Sequence, residues 1–138
     1  MADEPKPGSF VHVEFAVKDA AAVNKVKDFY GPIFGWKFTD VPEFDYTLFE
    51  ARSGPGGGIG AVQPGQNVGI TNYLSVPSID ETVKKIEKAG GKITAPKLEV
   101  PGQGWMVWFQ DPAGTSMALW QPNPEAQRGQ QQQQRQKK

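Results

Sequence analysis

The sequence contains no cysteine. That excludes a disulfide framework, a thiolate nucleophile and a cysteine-ligated metal, and it is compatible with a reducing compartment. Net charge is also missing: 15 Lys and Arg balance 15 Asp and Glu, so no global field draws the chain to nucleic acid or to a membrane surface. No apolar run approaches the roughly 18 residues of a spanning helix. The start, Met1-Ala2-Asp3-Glu4-Pro5, has neither the basic nor the apolar stretch of a secretory leader. A cytoplasmic location is therefore expected, with no nucleic-acid and no membrane partner.

What is present suffices for one domain: a chain of 138 residues buries roughly two-thirds of the surface it exposes when unfolded. Both ends read as tails. Residues 1–8 hold Pro5 and Pro7, and residues 123–138 are rich in Gln, with Arg128, Arg135, Lys137 and Lys138 against Glu125. The second tail has too little apolar surface to offset its ordering entropy, so it is expected to be disordered.

Residues 9–122 contain an internal repeat, with halves at about 9–65 and 68–122. The first half opens on Phe10 to Val17 and the second on Ile70 to Val76. Alternate side chains of a strand share a face. Val11, Val13, Phe15 and Val17 thus make an apolar face, and His12, Glu14 and Ala16 lie opposite. Ile70, Leu74 and Val76 match the first set and Thr71, Tyr73 and Ser75 the second, with polar Asn72 the exception.

A helix should follow each opening strand. Asp19 is placed to cap one in which Val23, Val26, Phe29 and Tyr30 recur at helical spacing, and Gly31-Pro32 should bend or end it. Ser78-Ile79-Asp80-Glu81 has capping-box spacing for the second helix. Its apolar stripe is Ile79, Val83 and Ile86, and its stop is Gly90-Gly91. Further strands are expected at about 36–41, 46–51, 58–62, 92–94, 105–110 and 116–120. The result is an α+β fold of two βαβββ units, each helix covering one sheet face and leaving the other free to line a cavity. The run Gly56-Gly57-Gly58-Ile59-Gly60 is not a phosphate loop, because no Lys-Ser/Thr follows and it leads into a strand. Close backbone approach or a bulge at the cavity edge is the expected reason for it. Pro101-Gly102-Gln103-Gly104 reads as a tight or flexible turn.

His12 to Asp19, followed by Asp28-Phe29-Tyr30-Gly31-Pro32-Ile33-Phe34-Gly35-Trp36, resembles the opening of the glyoxalase/bleomycin-resistance/dioxygenase family, also called the vicinal-oxygen-chelate family. Asp111-Pro112-Ala113-Gly114-Thr115, leading into Ala118-Leu119-Trp120, resembles its close, and the likeness spans about residues 9–121. The resemblance implies that the two units form a cup-shaped, incompletely closed β-barrel. It also implies a small-molecule ligand or substrate and, as in many members, a homodimer.

In metal-using members the ligands stand on the first and last strands of each unit. Carried onto this chain, those positions are His12, Gly60, Thr71 and Ala118. Gly and Ala offer no donor atom and a lone Thr hydroxyl is a poor ligand, so the usual metal centre is expected to be absent and no cofactor is implied. His12 and Glu14 then admit three readings. They could join an unusual metal site with Gln110 or Glu50, hydrogen-bond each other or Tyr73, or act as a metal-free acid/base couple.

Trp36, Trp105, Trp108, Trp120, Tyr46, Phe49 and Tyr73 lie on or beside the expected strands, and each reads as core or as cavity wall. Gly58, Gly60 and Ala118 would leave space between such walls. The candidate ligand-binding residues are His12, Glu14, Gly60, Thr71, Tyr73, Trp105, Ala118 and Trp120, around a pocket for a planar or apolar molecule. The expected function is metal-independent binding of a small molecule. The alternative is a lyase, isomerase or dioxygenase-type enzyme with His12 and Glu14 as catalytic residues or as part of an unusual metal site.

Overall fold

The structure, a computed structural model, describes residues 5–64 and 66–124. The expected tails therefore lie outside the described residues, apart from 5–8 and 123–124. In order, the elements are β1 (Phe10–Val17), α1 (Ala20–Phe34), β2 (Lys37–Val41), a short 3₁₀ turn (Pro42–Phe44), β3 (Tyr46–Glu50) and β4 (Gly57–Ala61). They continue with β5 (Gly69–Ser75), α2 (Ile79–Lys88), β6 (Lys92–Val100), β7 (Gly104–Gln110) and β8 (Ser116–Pro122). The order βαβββ thus occurs twice, and the fold class is α+β. No helix among the described residues is long and apolar enough to cross a membrane.

Two compact units result, one of Phe10–Tyr73 and one running from Leu74 onward together with residues 5–9. The boundary falls inside β5, so Thr71 and Tyr73 belong to the first unit although their strand opens the second repeat.

In the first unit the strands run in the order β2, β3, β4, β1, antiparallel except for the parallel β4–β1 pair. Phe15 is paired with Ile59, and Ile59 with Thr47, which places Val13, Phe15, Val17, Thr47, Phe49 and Ile59 on one face. This face carries an aromatic core. Trp36 stacks on Phe49 with ring centroids 4.5 Å apart and on Tyr30 of α1 at 4.7 Å, and Phe15 meets Phe49 edge-on at 5.6 Å. Trp36 and Phe49 are therefore core residues beneath α1 and not cavity walls.

Asp19 caps α1 by accepting the Ala22 N–H at 3.0 Å. The helix does not end at Gly31-Pro32 but continues to Phe34. Proline's fixed φ is helical and its missing N–H removes only one bond close to the helix end. Gly35, at a left-handed φ of 73°, closes the helix by donating its N–H to the Gly31 carbonyl at 2.8 Å.

In the second unit β6, β7 and β8 are antiparallel neighbours. Val76, Ile79, Val107, Phe109 and Leu119 form the core, with Val83 and Ile86 of α2 packed against it. Ser78 caps α2 through the Glu81 N–H. Strand β6 continues past Thr94 to Val100, because Pro96 lies where the β6–β7 register shifts and so interrupts no ladder bond. The turn between β7 and β8 shows why its sequence is Asp-Pro-x-Gly: one Asp111 carboxylate oxygen accepts the N–H groups of Ala113 and Thr115 at 2.9 Å each, and Gly114 adopts φ 90°.

Candidate functional site

Strand β1 presents His12, Glu14 and Ala16 on the face of the first unit turned away from α1. Glu14 is paired with Gly58 and Ala16 with Gly60 on β4, so a glycine-rich strand runs beside the two polar residues. Tyr46, one strand further on β3, fills the trough those glycines leave. A β-carbon at Gly58 would collide with the Tyr46 ring, and one at Gly60 would stand 2.7 Å from its Cδ1. On the other face, Gly57 admits the Phe49 ring and the Val13 carbonyl. The space expected at Gly58 and Gly60 is thus occupied by a tyrosine of the same unit.

The Tyr46 hydroxyl lies 2.8 Å from His12 Nε2, and the two rings are stacked with centroids 6.2 Å apart. Tyr73, buried on β5, meets the His12 ring edge-on at 5.4 Å and donates its hydroxyl to Glu14 Oε1 at 2.8 Å. Gln66, in the loop between β4 and β5, donates its amide to the same oxygen at 2.7 Å, while its own oxygen accepts the Gln63 N–H at 3.1 Å. Of the expected pairings, Glu14 with Tyr73 is present, whereas His12 takes Tyr46 as its partner.

Burial disfavours charge on the His12 imidazole and lowers its pKa, against the opposing pull of the nearby Glu14 carboxylate. The Tyr46 phenol is pushed far above its ordinary value, first by burial and then by the charge of Glu14, so it is a neutral hydroxyl at physiological pH. The cluster is a neutral imidazole, two phenols and an amide arranged around one carboxylate, a set of groups suited to hydrogen-bonding a ligand or moving a proton.

The positions that the resemblance assigns to a metal do not fit one. Gly60 and Ala118 have no donor atom, Thr71 is a buried hydroxyl, and the space beside Gly60 is taken by the Tyr46 ring. Among the described residues no three His, Asp or Glu side chains stand close enough together to hold a metal ion, so Glu50 does not complete such a set with His12 and Glu14.

The remaining site candidates lie in the second unit. Ala118 is fully buried on β8, and Trp120 shares its face. Pairing places Met106 and Trp108 of β7 on that face as well. Trp105 lies on the other face, packed against the core beneath α2 with Lys97 Nζ 5.6 Å from its ring centroid. Trp108 is thus the β7 tryptophan that accompanies Ala118 and Trp120.

Tyr46 and Gln66 were missed as site residues. The signal for Tyr46 was available: a large ring on β3 opposite two glycines spaced by two on the next strand. Gln66 had none, because a loop glutamine carries no periodicity. On the helix side of the first unit, a cavity of about 190 Å³ lies among Val23, Asp40, Val41, Asp45, Thr47 and Ile59, and neither His12 nor Glu14 lines it. Asp40 there accepts the Thr47 hydroxyl at 2.7 Å and pairs with Lys27 at 3.2 Å.

No family model matches the chain. It is 27% identical over 128 residues to CFP32 of Mycobacterium tuberculosis, described as a candidate glyoxylase, an alignment covering 87% of this chain and 48% of the relative. It is 29% identical over 136 residues to the anthracycline biosynthesis protein DnrV of Streptomyces peucetius, covering 83% and 47%. The chain therefore spans about half the length of the curated relatives it matches. Among solved structures, methylmalonyl-CoA epimerase from Mycobacterium tuberculosis superposes with a TM-score of 0.62 at 14% identity, over 91% of this chain and 95% of that one. A glyoxalase/bleomycin resistance protein/dioxygenase superfamily member from Vibrio splendidus gives 0.57 at 12% identity, over 80% and 96%. At such identities the superpositions speak for the fold alone. The duplicated βαβββ order, the opening and closing motifs and the curated relatives make the chain similar to the glyoxalase/bleomycin-resistance/dioxygenase family, whose fold it shares.

Proposed function

We propose that the chain is a small-molecule-binding protein that holds a planar or apolar ligand without a metal ion. The observation that carries this reading is Tyr46: its ring fills the trough over Gly58 and Gly60, and its hydroxyl meets His12, the one metal-ligand type among the four positions carried over from the family. The buried polar groups of the site are satisfied by one another, which leaves ring faces and a few polar atoms for recognition. DnrV and DauV, both named anthracycline biosynthesis proteins, support a flat ligand, because an anthracycline is a fused-ring aromatic. The ligand-contact candidates are His12, Glu14, Tyr46 and Tyr73 in the first unit; in the second unit, taken by itself, they are Trp108 and Trp120. A cytoplasmic site of action and a homodimer belong to the same proposal. The cysteine-free sequence supports the former, and exposed Phe29, Ile33 and Phe34 on α1 support the latter.

The test combines elemental analysis of the purified protein with quenching of tryptophan fluorescence by an anthracycline. Substoichiometric transition metal and saturable quenching that weakens clearly in Trp120→Ala are expected. One tightly bound Zn²⁺, Ni²⁺ or Fe²⁺ per chain, lost in His12→Ala, would overturn the metal-free reading, and no saturable quenching would overturn the ligand class.

A catalytic reading has one observation in its favour, the neutral imidazole of His12 beside the Glu14 carboxylate. It requires a turnover that His12→Ala lowers by about 10²–10⁴-fold. The binding reading requires only a loss of affinity of about fivefold, one hydrogen bond.

A further inference from the structure

Glu14 is a partly buried carboxylate whose hydrogen-bond partners are all neutral. The Tyr73 hydroxyl and the Gln66 amide both donate to Oε1, at 2.8 and 2.7 Å. The amide cannot be turned round, because its oxygen accepts the Gln63 N–H at 3.1 Å while the Gln66 N–H donates to the Gln63 carbonyl at 2.9 Å. Two hydrogens thus converge on one oxygen of Glu14, the pattern a charged acceptor draws.

No side chain of the first unit offsets that charge. The ion pairs among the described residues are Lys27 with Asp40 and Lys97 with Asp80, and neither includes Glu14. On the face of the sheet that carries Glu14, strand pairing places one lysine, Lys37 of β2. Lys37 is the register neighbour of Glu50, with β3 and β4 between it and β1, so its charge is matched where it stands. His12 is not a counter-ion either, since burial disfavours its charged form more strongly than the Glu14 carboxylate favours it.

The surroundings of the carboxylate are aromatic and partly open. The Tyr46 ring lies over Gly58, the register neighbour of Glu14, and His12 stacks with it. Phe10 and Leu48 share this face and stay 57% and 42% exposed, so apolar surface is available beside the charge. A carboxylate drawn partly out of water attracts a cation more strongly than one in bulk solvent, and ring faces add to the attraction. A neutral ligand covering Glu14 would instead leave its charge desolvated and unpaired.

We propose that Glu14 is the counter-ion of the ligand, and that the first unit takes a planar organic cation, a ring system bearing an ammonium or quaternary nitrogen, with its charge against Glu14 and its ring against those of His12 and Tyr46. This rests on the binding function proposed above and narrows its ligand to a positively charged one.

N-methylquinolinium and 1-methylnaphthalene have the same shape and differ by one positive charge, so titrating the full chain with each isolates the effect of charge. His12 is the single histidine, and its imidazole C–H resonances report whether a probe reaches the Glu14 site. N-methylquinolinium should bind about thirtyfold tighter, the worth of a desolvated cation over ring faces, and should move those resonances. Glu14→Gln, which keeps the shape and removes the charge, should bring the two affinities together.

Equal affinities in the wild type overturn the cationic class and leave the binding function standing, whether or not Glu14→Gln folds. Binding of neither probe overturns both. A preference for the cation that leaves the His12 resonances unmoved, or that survives in Glu14→Gln, overturns Glu14 as the counter-ion.

Discussion

Tyr46 lies across Gly58 of the neighbouring strand so closely that a β-carbon at residue 58 would overlap its ring. Gly58→Ala should therefore force the tyrosine out of the trough, at the cost of overpacking, about 1–3 kcal/mol. Gly58→Ala combined with Tyr46→Ala should cost less than the two single losses added together, because the clash is relieved. Urea melts of the four proteins of the cycle test this, and additive losses would mean that the ring does not depend on the glycine.

His12, the one histidine of the sequence, should titrate with a midpoint below the ordinary 6.5, read from its imidazole C–H resonances. Because the folded-state pKa is depressed, the unfolded chain binds the proton more readily. The contribution to stability is complete above about pH 6.5 and is lost as the pH falls from there toward the folded midpoint. Urea stability of the wild type should decline across that window by more than that of His12→Gln. An equal decline in both would show that His12 does not carry the effect.

The first helix leaves Phe29, Ile33 and Phe34 at 54%, 59% and 51% exposure. A homodimer built on that surface should be visible by light scattering as twice the chain mass and should dissociate in Ile33→Glu, since a carboxylate buried at an apolar contact has no partner. A monomeric mass at every concentration removes the dimer, and a dimer untouched by Ile33→Glu moves its interface elsewhere.

Ser78 Oγ accepts the Glu81 N–H at 3.2 Å, and the next residue, Ile79, is fully buried. Ser78→Ala should cost about 1 kcal/mol of stability, read from urea melts. An unchanged midpoint would show that the cap does not hold the helix start.

The repeat, the alternation of β1 and β5, both helix caps and the Asp111 turn were legible in the sequence because each is a local relation between residues a few positions apart. Period, cap spacing and turn chemistry act within one or two turns of chain. The placement of His12 and Glu14 on the strand face away from the helix was legible for the same reason.

What depended on partners distant in sequence was decided by the tertiary structure. The glycines at 58 and 60 predicted a close approach, but only strand pairing showed that Tyr46 makes it. Trp105 and Trp108 differ by a single alternation, so a choice of register determined which faces the α2 core and which shares a face with Trp120. The end of α1 was decided by Gly35 closing onto Gly31 in spite of Pro32. Sequence by itself determined the duplicated fold and which residues share a face; the hydrogen-bond partners of His12 and Glu14 required the structure, because Tyr46, Gln66 and Tyr73 are 34, 52 and 59 residues away from the groups they bind.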